Sequence, residues 1–277
     1  MPRLLASIVL LVIVINVMSQ TGPPAIKPSQ TIHLFDGKSL EAFDSWLVNF
    51  KHTDPDRVFS VVDRIDGAPA IRVSGQYYGG LITKQSYRDY RLVVEYRWGA
   101  VTWGSRRDRA RDNGVLLHCQ GRPGNSQKDF NGPWMRSIEF QIIEGGIGDI
   151  ILVGGYDDKG ELYKPSIRAK TRKDRNGQTA FDPKGEDGVH SSRHVNWWGR
   201  SEDWADKLGF RGSSDVDSPG QEWTRLEAVA NGGHLAYYVN GKLVNEGNDC
   251  SLQEGKLLFQ SEGAETYFRR IDLEPLK

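Results

Sequence analysis

Several residue types are scarce in this sequence of 277 residues, and each scarcity excludes a class of protein. Only two cysteines occur, Cys119 and Cys250, and two thiolates by themselves cannot form a structural zinc site. Because Cys119 ends the apolar run GVLLHC, we expect a buried free thiol there, with a Cys119–Cys250 disulfide as the alternative in an exported protein. Neither sign of charge is in excess, since 36 Lys and Arg residues balance 36 Asp and Glu residues. A neutral chain offers phosphates no positive field, so we expect no nucleic-acid partner.

Long apolar runs are also scarce, and the one that is present lies at the N terminus. Residues 4–18 are interrupted by only two polar side chains. This length, about 15 residues, suits the apolar region of a signal peptide and falls short of the roughly 20 residues that span a bilayer. We therefore expect residues 1–19 to be a signal peptide that exports the protein to the periplasm or the extracellular space. An uncleaved membrane anchor is the alternative, and residues 20–31 are predicted to be a proline-rich linker.

The residues that are abundant indicate a β-rich fold. The chain has 31 glycines, 8 tryptophans, 10 tyrosines and 10 phenylalanines, which combines turn formers with aromatics. Apolar residues alternate with a period of two in residues 89–98, 113–120, 136–144, 222–247, 255–260 and 265–276. We find no clean amphipathic helical stripe longer than about ten residues. The sequence thus predicts an all-β fold, a two-sheet antiparallel β-sandwich, as a single domain over residues 32–277.

One region departs from this alternation. Residues 155–220 are polar and glycine-rich, with the basic stretch KTRKDR and the aromatic and histidine-containing stretch HSSRHVNWWGR. An insertion of about 66 residues is longer than the ordinary connections of a compact domain, and long loops usually carry function. We interpret it as functional, with a solvated decoration away from any site as the alternative.

Six stretches, in order along the chain, are similar to one known family. They are LFDGKSLEAF (34–43), YRDYRLVVEYRW (87–98), DNGVLLH (112–118), SIEFQIIEGGIGDI (137–150), EWTRLEAVANGGHLAYYVNGKLV (222–244) and LLFQSEGAETYFRRIDLEPL (257–276). Together they resemble the DUF1080 family, described as 3-keto-disaccharide hydrolases or as 3-keto-glucoside 1,2-lyases and 3-keto-2-hydroxy-glucal hydratases. The chain departs from the family pattern at His118, where arginine is frequent, and at Arg270, where asparagine is frequent.

The resemblance implies a fold, a reaction and a substrate class. The fold would be a jelly-roll sandwich similar to concanavalin A-like lectins and glucanases, with a ligand groove on the concave face. The protein would be an exported carbohydrate-active enzyme, and its partner an oligosaccharide or an oxidised, 3-keto, glycoside. In that chemistry a ketone at C3 acidifies the proton on C2, a base removes this proton, and the C1 substituent is expelled. Water then adds back, so the net reaction is hydrolysis.

The segment RSIEFQIIE carries the most informative polar residues. As a strand it points Ser137, Glu139 and Gln141 to one face and its apolar residues to the other. A carboxylate beside a carboxamide is costly in a dry core, so this face is predicted to line a groove. Glu144 falls on the apolar face unless a bulge shifts it, and Gly145-Gly146 makes such an irregularity easy.

The chemistry implied by the resemblance needs a base, an acid and a group that stabilises the enolate oxygen. His118 is the candidate base, Glu139, Glu144 and Glu262 are candidate acids or metal ligands, and Arg269 is the candidate enolate stabiliser. The other predicted substrate-binding residues are Asn113, Gln141 and Gln260, together with Trp134, Trp197 and Trp198 at the groove rim, where an indole face can pack on a pyranose ring. No cofactor is predicted with certainty, and a divalent cation on Glu139, Glu144 or Asp149 is the alternative.

Two other functions stay open at this point. One is a lectin-like module that binds carbohydrate without cleaving it, because this fold serves both purposes. The other is an ordinary retaining glycosidase, whose two carboxylates would be Glu139 and Glu144 about 5–5.5 Å apart. Gln141 stands where such enzymes have an aspartate, and a neutral amide cannot help to separate the two carboxyl pKa values.

Overall fold

The computed structural model describes residues 23–191 and 194–277, so the predicted signal peptide lies outside the described residues. The described chain contains twenty strands and one short 3-10 turn (Gly104–Arg106). The strands are β1 (Ile32–His33), β2 (Phe43–Leu47), β3 (Phe59–Ile65), β4 (Ala68–Val73), β5 (Gly79–Thr83), β6 (Tyr87–Arg88), β7 (Tyr90–Thr102), β8 (Asp112–Gln120), β9 (Arg136–Ile143), β10 (Ile150–Val153), β11 (Gly155–Tyr156), β12 (Leu162–Tyr163), β13 (Ser166–Lys173), β14 (Thr179–Phe181), β15 (Glu186–Ser191), β16 (Thr224–Asn231), β17 (His234–Val239), β18 (Lys242–Gly247), β19 (Glu254–Ser261) and β20 (Ala264–Pro275). Within those residues no helix is both long and apolar enough to span a bilayer.

Two antiparallel sheets form the sandwich. The eight-stranded sheet has the order β18-β17-β16-β7-β20-β4-β3, with β1 added beside β20. The seven-stranded sheet has the order β10-β9-β8-β19-β5-β2, with β6 added beside β19. The predicted fold class, an all-β two-sheet antiparallel sandwich, is confirmed.

The core lies between the two sheets and follows the alternation of the sequence. Leu92, Val94, Tyr96 and Trp98 of β7 all point inward and are buried. They meet the inward residues of β8 and β9, among them Val115, Leu117, Ile138, Phe140 and Ile142. Aromatic pairs join the layers: the Phe140 and Tyr237 rings stack with centroids 4.1 Å apart, and Phe259 meets Phe268 edge-on at 5.5 Å. Burial of one face of each sheet is therefore what holds the sandwich together.

The insertion at 155–220 builds small sheets of its own. β11 pairs with β12, and β13 lies between β14 and β15 in a three-stranded sheet. Backbone hydrogen bonds connect this region to both main sheets. Val195 exchanges two bonds of 2.9 Å with Ile150 of β10, and Arg168 exchanges bonds of 2.8 and 2.7 Å with Asn248 just after β18. The insertion therefore closes one edge of the sandwich. Its later part, residues 200–217, contacts Glu144 at the end of β9 and Ala110 just before β8.

Both cysteines are buried and free, which confirms the expectation of a buried thiol at position 119. Burial raises the pKa of the Cys250 thiol to about 12. The thiolate, which is the reactive form of cysteine, is therefore strongly disfavoured there.

Candidate functional site

The outer face of the seven-stranded sheet carries the polar residues of β9. Glu139 pairs with Leu116 of β8, and Gln141 pairs with Gly114, so these residues share the face that points away from the core. A second apolar cluster lies on the same face, formed by Trp46, Ile82, Leu116, Cys119, Met135 and Leu258 with Trp134 packed against it. The register confirms that Glu139 and Gln141 share one face of β9, opposite the main core. Both side chains are buried on that face, so the groove expected there stays a prediction.

Gly114 creates the space in which the polar side chains meet. A Cβ atom at this position would overlap the Oε1 atoms of both Glu139 and Gln260, so only glycine fits between them. Gln260 lies on β19, where it pairs with Gly80 of β5. The missing side chain of Gly114 thus leaves room for one carboxyl and one carboxamide side chain.

Three carboxyl groups, Asp112, Glu139 and Glu262, form what we call the carboxylate cluster. Burial raises the pKa of Glu139 to about 8, and the nearby Asp112 carboxylate adds to this shift. Burial also raises the pKa of Asp112 to about 6, although Arg106 opposes the rise. The pKa of Glu262 is raised well above its usual range by burial, with both other carboxylates contributing. At neutral pH the cluster therefore holds at least one proton, with Asp112 the most readily ionised member.

Arg106 is the cation of this site, and the insertion holds it in place. Its guanidinium forms an ion pair with Asp112 and donates a 3.2 Å hydrogen bond to Oδ1 of Asp206. The same Oδ1 accepts the N–H of Ala110 at 3.2 Å. Asp206 belongs to the insertion, so residues far apart in sequence converge here: Arg106 follows β7, Asp112 begins β8, and Asp206 comes after the small sheet.

Gln260 lies beside Glu139, across the space left by Gly114. The Gln260 side-chain hydrogen bond lowers the pKa of Glu139, but burial and the Asp112 carboxylate raise it by more, so the net shift is upward. Oε1 of Gln260 is buried and accepts no hydrogen bond from any described residue. The protonated state of Glu139 at neutral pH therefore results from burial and the neighbouring carboxylate, against the effect of Gln260.

Glu144 lies at the end of β9, but other groups hold its carboxylate. Oε1 accepts a hydrogen bond from Nη1 of Arg111 at 2.6 Å. Oε2 accepts the backbone N–H groups of Arg111 at 2.9 Å and Gly209 at 2.8 Å. Trp204 also donates its indole N–H to the Glu144 carbonyl at 2.8 Å. Glu144 therefore anchors residues 200–217 of the insertion to the sheet.

Trp134 is the one predicted rim tryptophan that lies beside the carboxylate face. It is half-buried, and its ring lies 6.2 Å from that of Tyr78. Next to this aromatic pair is a hollow of about 440 Å³, lined by Val48, Asn49, Gln76, Tyr77, Tyr78, Gln127, Asn131 and Pro133. The pair offers an aromatic surface near the cluster.

The other two tryptophans lie elsewhere. Trp197 is fully buried in the main core, so the prediction that it lines a groove rim is wrong. Its backbone N–H donates a 2.7 Å hydrogen bond to Oδ1 of Asp149, just before β10. This bond holds the segment against the sheet with the indole on the core side. Trp198 is 41% exposed but lies beside Leu243 of β18, at the edge of the eight-stranded sheet.

His118 faces the core, contrary to the alternation expected from its strand. Its φ of 55° and the register shift between Leu117 and Gln120 mark a β-bulge. The bulge turns the imidazole toward Tyr90, 5.6 Å away, and Nδ1 lies 3.0 Å from the Leu252 carbonyl. Burial lowers the pKa of His118 to about 4. The structure therefore does not bring the predicted base to the carboxylate cluster.

Two further predicted residues have structural partners. Arg269 donates a 2.6 Å hydrogen bond to Glu95 and lies over the Trp223 ring at 4.4 Å, on the eight-stranded sheet. Arg269 is therefore separated from the cluster by the core. Asn113 is fully buried and donates to the Gln260 carbonyl at 2.8 Å and to Thr266 at 3.2 Å. It supports the strand that carries Gln260 and does not face the outer surface.

The candidate cation ligands do not converge. Across residues 23–191 and 194–277, no group of three or more His, Cys, Asp or Glu side chains is arranged to hold a metal ion. Asp149 forms an ion pair with Arg200, and Glu144 forms one with Arg111. Each of these two carboxylates is therefore neutralised by an arginine.

Three residues of the site, Asp112, Arg106 and Asp206, were missed by sequence reasoning. Asp112 could have been found from the sequence. It lies two residues before Gly114 and four before Leu116, so on an alternating strand it shares their face. Arg106 and Asp206 could not, since each lies in an irregular segment with several other charged residues.

Residues 30–274 match the model of the 3-keto-alpha-glucoside-1,2-lyase-like domain. No curated protein matches the chain.

Three solved structures illustrate its neighbours. One, described as a candidate glycosyl hydrolase from Parabacteroides distasonis, is 15% identical, with 90% of this chain and 94% of that one covered and a TM-score of 0.49. The carbohydrate-binding module CBM66 from Bacillus subtilis is 11% identical over 84% of this chain and 95% of that one, with a TM-score of 0.41. The β-glucanase of Bacillus licheniformis is 9% identical over 93% and 100%, with a TM-score of 0.43.

Proposed function

The chain belongs to the 3-keto-alpha-glucoside-1,2-lyase-like family, and on this premise we propose that it cleaves 3-keto-glycosides. The reaction is abstraction of the C2 proton, elimination of the C1 substituent and rehydration of the product. The observation that carries the proposal is the carboxylate cluster beside Arg106, in which neighbouring carboxyl groups have pKa values of about 6 and about 8. Such a separation lets one group act as base and the other as acid at the same pH.

In the elimination step Asp112 is the base and Glu139 the acid. The C2–H bond breaks and its proton passes to the Asp112 carboxylate, while the electron pair forms the C1–C2 double bond. The C1–O bond breaks at the same time, and the leaving oxygen takes the proton of Glu139. Arg106 stabilises the negative charge that develops on the C3 oxygen, as a preorganised cation does in a site of low dielectric.

The hydration step restores both groups. Glu139, now a carboxylate, removes a proton from the water that attacks C1. The Asp112 carboxyl, whose proton exchanges with solvent, protonates C2, and the double bond is consumed. Both carboxyl groups are then in their starting states, and the products are a 3-keto sugar and the released alcohol.

Substrate binding on this face would use the aromatic pair and the Gln141 amide. Trp134 with Tyr78 offers apolar surface to the C–H side of a pyranose ring, and the Gln141 amide offers a donor to its hydroxyls. Gln260 is fully buried and would act on the substrate only through Glu139. Retaining hydrolysis by a Glu139–Glu144 pair is disfavoured, because Arg111 and two backbone N–H groups already hold Glu144. To act as a nucleophile, Glu144 would have to break these hydrogen bonds.

Incubation of the full-length protein with a 3-keto-glucoside and with its unoxidised parent tests the reaction class. Cleavage of the keto compound alone, with exchange of the C2 proton for deuterium in D₂O, is the expected outcome. Cleavage of the parent alone would identify an ordinary glycosidase. Binding of either compound without turnover would identify a carbohydrate-binding module.

Export is part of the proposal. The apolar run at residues 4–18 has the length and composition of a signal peptide, so the protein would act in the periplasm or the extracellular space. An exported enzyme of this class would meet oligosaccharides or oxidised glycosides before uptake, with no role for nucleic acid.

A further inference from the structure

A hollow of about 390 Å³ lies where the small three-stranded sheet meets the edge of the eight-stranded sheet. Its lining residues are Arg172, Phe181, Asp182, Pro183, Trp198 and Leu243, and we call it the Trp198 hollow. We propose that this hollow is a second carbohydrate site, which binds a pyranose unit of a glucose-containing oligosaccharide. The choice of glucose rests on the proposed function, whereas the site itself rests on the geometry below.

The indole of Trp198 is held in place before any ligand arrives. Nε1 donates a 2.8 Å hydrogen bond to the Leu243 carbonyl, and the Trp197 ring meets it edge-on with centroids 5.3 Å apart. Even so, 41% of Trp198 is exposed. A large apolar ring that is fixed and still open to solvent loses little conformational freedom on binding, which favours association with a flat apolar face.

The polar groups of the hollow have spare hydrogen-bonding capacity. Arg172 forms an ion pair with Glu202 at 3.7 Å, but its guanidinium donates no hydrogen bond to any described residue, so its donors are available. Oδ1 of Asp182 accepts the Lys184 N–H at 2.8 Å, and no described residue donates to Oδ2. A guanidinium donor and a carboxylate acceptor on one rim are suited to vicinal sugar hydroxyls, each of which both donates and accepts.

The rim is preformed by its own backbone bonds. The Asp182 N–H binds the Lys170 carbonyl at 3.0 Å, and the Asp182 carbonyl accepts the Gly185 N–H at 2.8 Å. Phe181 below it is only 4% exposed and forms a rigid floor. The turn that presents Asp182 and Pro183 therefore does not have to fold around a ligand.

The balance of charge and polarity selects the ligand class. The lining has one arginine and one aspartate, and the arginine is also paired with Glu202, so an anion such as a nucleotide finds no net attraction. Apolar side chains make up the rest of the lining. A ligand with polar groups on every side would lose hydrogen bonds to water where it contacts them. A neutral polyol with one apolar face satisfies both conditions, and the volume lies within the roughly 300–1,000 Å³ of small-molecule sites.

The position of the hollow defines its role. It lies at the β18 edge, whereas the carboxylate cluster lies on the outer face of the seven-stranded sheet, with the main core between. Binding one unit of a longer oligosaccharide here would raise the local concentration of sugar near the protein without contributing to the reaction.

Nuclear magnetic resonance of the tryptophan indole N–H groups provides the test. The full-length protein is titrated with maltohexaose and, separately, cellohexaose, which carry no ketone and so are not substrates of the proposed reaction. The expected result is a shift of the Trp198 indole signal, assigned by its loss in Trp198→Ala. Trp198→Ala should weaken binding by about tenfold or more, and Trp198→Phe, which keeps an aromatic ring, should weaken it less.

The control variant is Trp223→Ala. The indole N–H of Trp223 is also hydrogen-bonded, to Asp66 at 2.9 Å, but Trp223 is half-buried and does not line the Trp198 hollow. It should bind the oligosaccharides as the wild type does. An unmoved Trp198 signal with both sugars at millimolar concentration, or wild-type binding by Trp198→Ala, would overturn the second site.

Turnover separates this inference from the proposed reaction. Trp198→Ala should cleave a small 3-keto-disaccharide at the wild-type rate. If the wild type cleaves no keto compound but its Trp198 signal shifts with oligosaccharide, the proposed reaction fails and the second site stands.

Discussion

Replacing Glu139 with Gln keeps the shape of the side chain and removes its ability to ionise or to donate a carboxyl proton. The folded protein holds the pKa of Glu139 at about 8, against an ordinary value of 4.5. That difference corresponds to at most about 5 kcal/mol against the charged form. Between pH 4.5 and 8 the folded state keeps a proton that the unfolded state releases, so the free energy of unfolding falls as pH rises through this window. Glu139→Gln cannot ionise and should escape this loss.

Glu139→Gln should therefore be more stable than the wild type at high pH but less active. At pH 5 both proteins should melt at similar temperatures, whereas at pH 8 Glu139→Gln should melt higher, by up to about 10 °C. Turnover of a 3-keto-glucoside should fall by about 10²-fold or more at every pH, because the amide cannot donate the proton to the leaving oxygen. Differential scanning calorimetry at the two pH values and a rate assay provide both readouts.

Glu95→Gln is the matched control for this experiment. Glu95 also carries its carboxylate on a central strand, but it lies on the other sheet, where it is paired with Arg269. Its replacement should leave turnover unchanged and produce no gain in melting temperature at pH 8. Wild-type turnover by Glu139→Gln would refute the acid role, and a melting temperature equal to the wild type at both pH values would refute the protonated state.

Four further outcomes follow from the same geometry. The pH profile of kcat/KM should be bell-shaped, falling below about 6 as Asp112 gains its proton and above about 8 as Glu139 loses its own; a flat profile over pH 5 to 9 would contradict these roles. Asp206→Asn should lower kcat more than it raises KM and shift the acid limb of that profile, because the arginine beside Asp112 loses an anchor; an unchanged acid limb would reduce Asp206 to a structural role. Between pH 6.5 and about 4 the unfolded imidazole of His118 binds a proton that the buried one does not, so the free energy of unfolding falls as pH falls. His118→Phe should reduce this dependence on pH, which calorimetry across the same window measures. Mass spectrometry of the native protein should find a chain that starts near Gln20, and an intact first residue in a membrane fraction would support an anchor instead.

The alternation of the sequence predicted the parts of the site that lie within regular strands. Glu139 and Gln141 share the outer face because residues two apart on a strand always do, whatever packs around them. The same rule placed Leu92, Val94, Tyr96 and Trp98 in the core. It failed at His118, where one extra residue in a bulge reverses the face, and a bulge leaves no mark on the alternation of a single strand.

Residues in irregular segments could not be placed from the sequence. Arg106, Asp206 and Glu144 meet their partners through turns whose path depends on contacts with the sandwich. Trp197 and Trp198 are adjacent in the chain, yet one is buried in the core and the other borders a separate hollow. Composition and pattern indicated an aromatic cluster, but only packing decides which indole is inside.

The sequence by itself determined the all-β class, the faces of the regular strands and the family to which the chain belongs. These depend on side-chain periodicity and local motifs, which are properties of short segments. The tertiary structure alone decided that Asp112, Glu139 and Glu262 share one buried environment, that Arg106 lies among them, and that the insertion supplies Asp206. The physical reason is that a pKa near 8 for a glutamate arises from desolvation and from charges brought close by folding, neither of which exists in the extended chain.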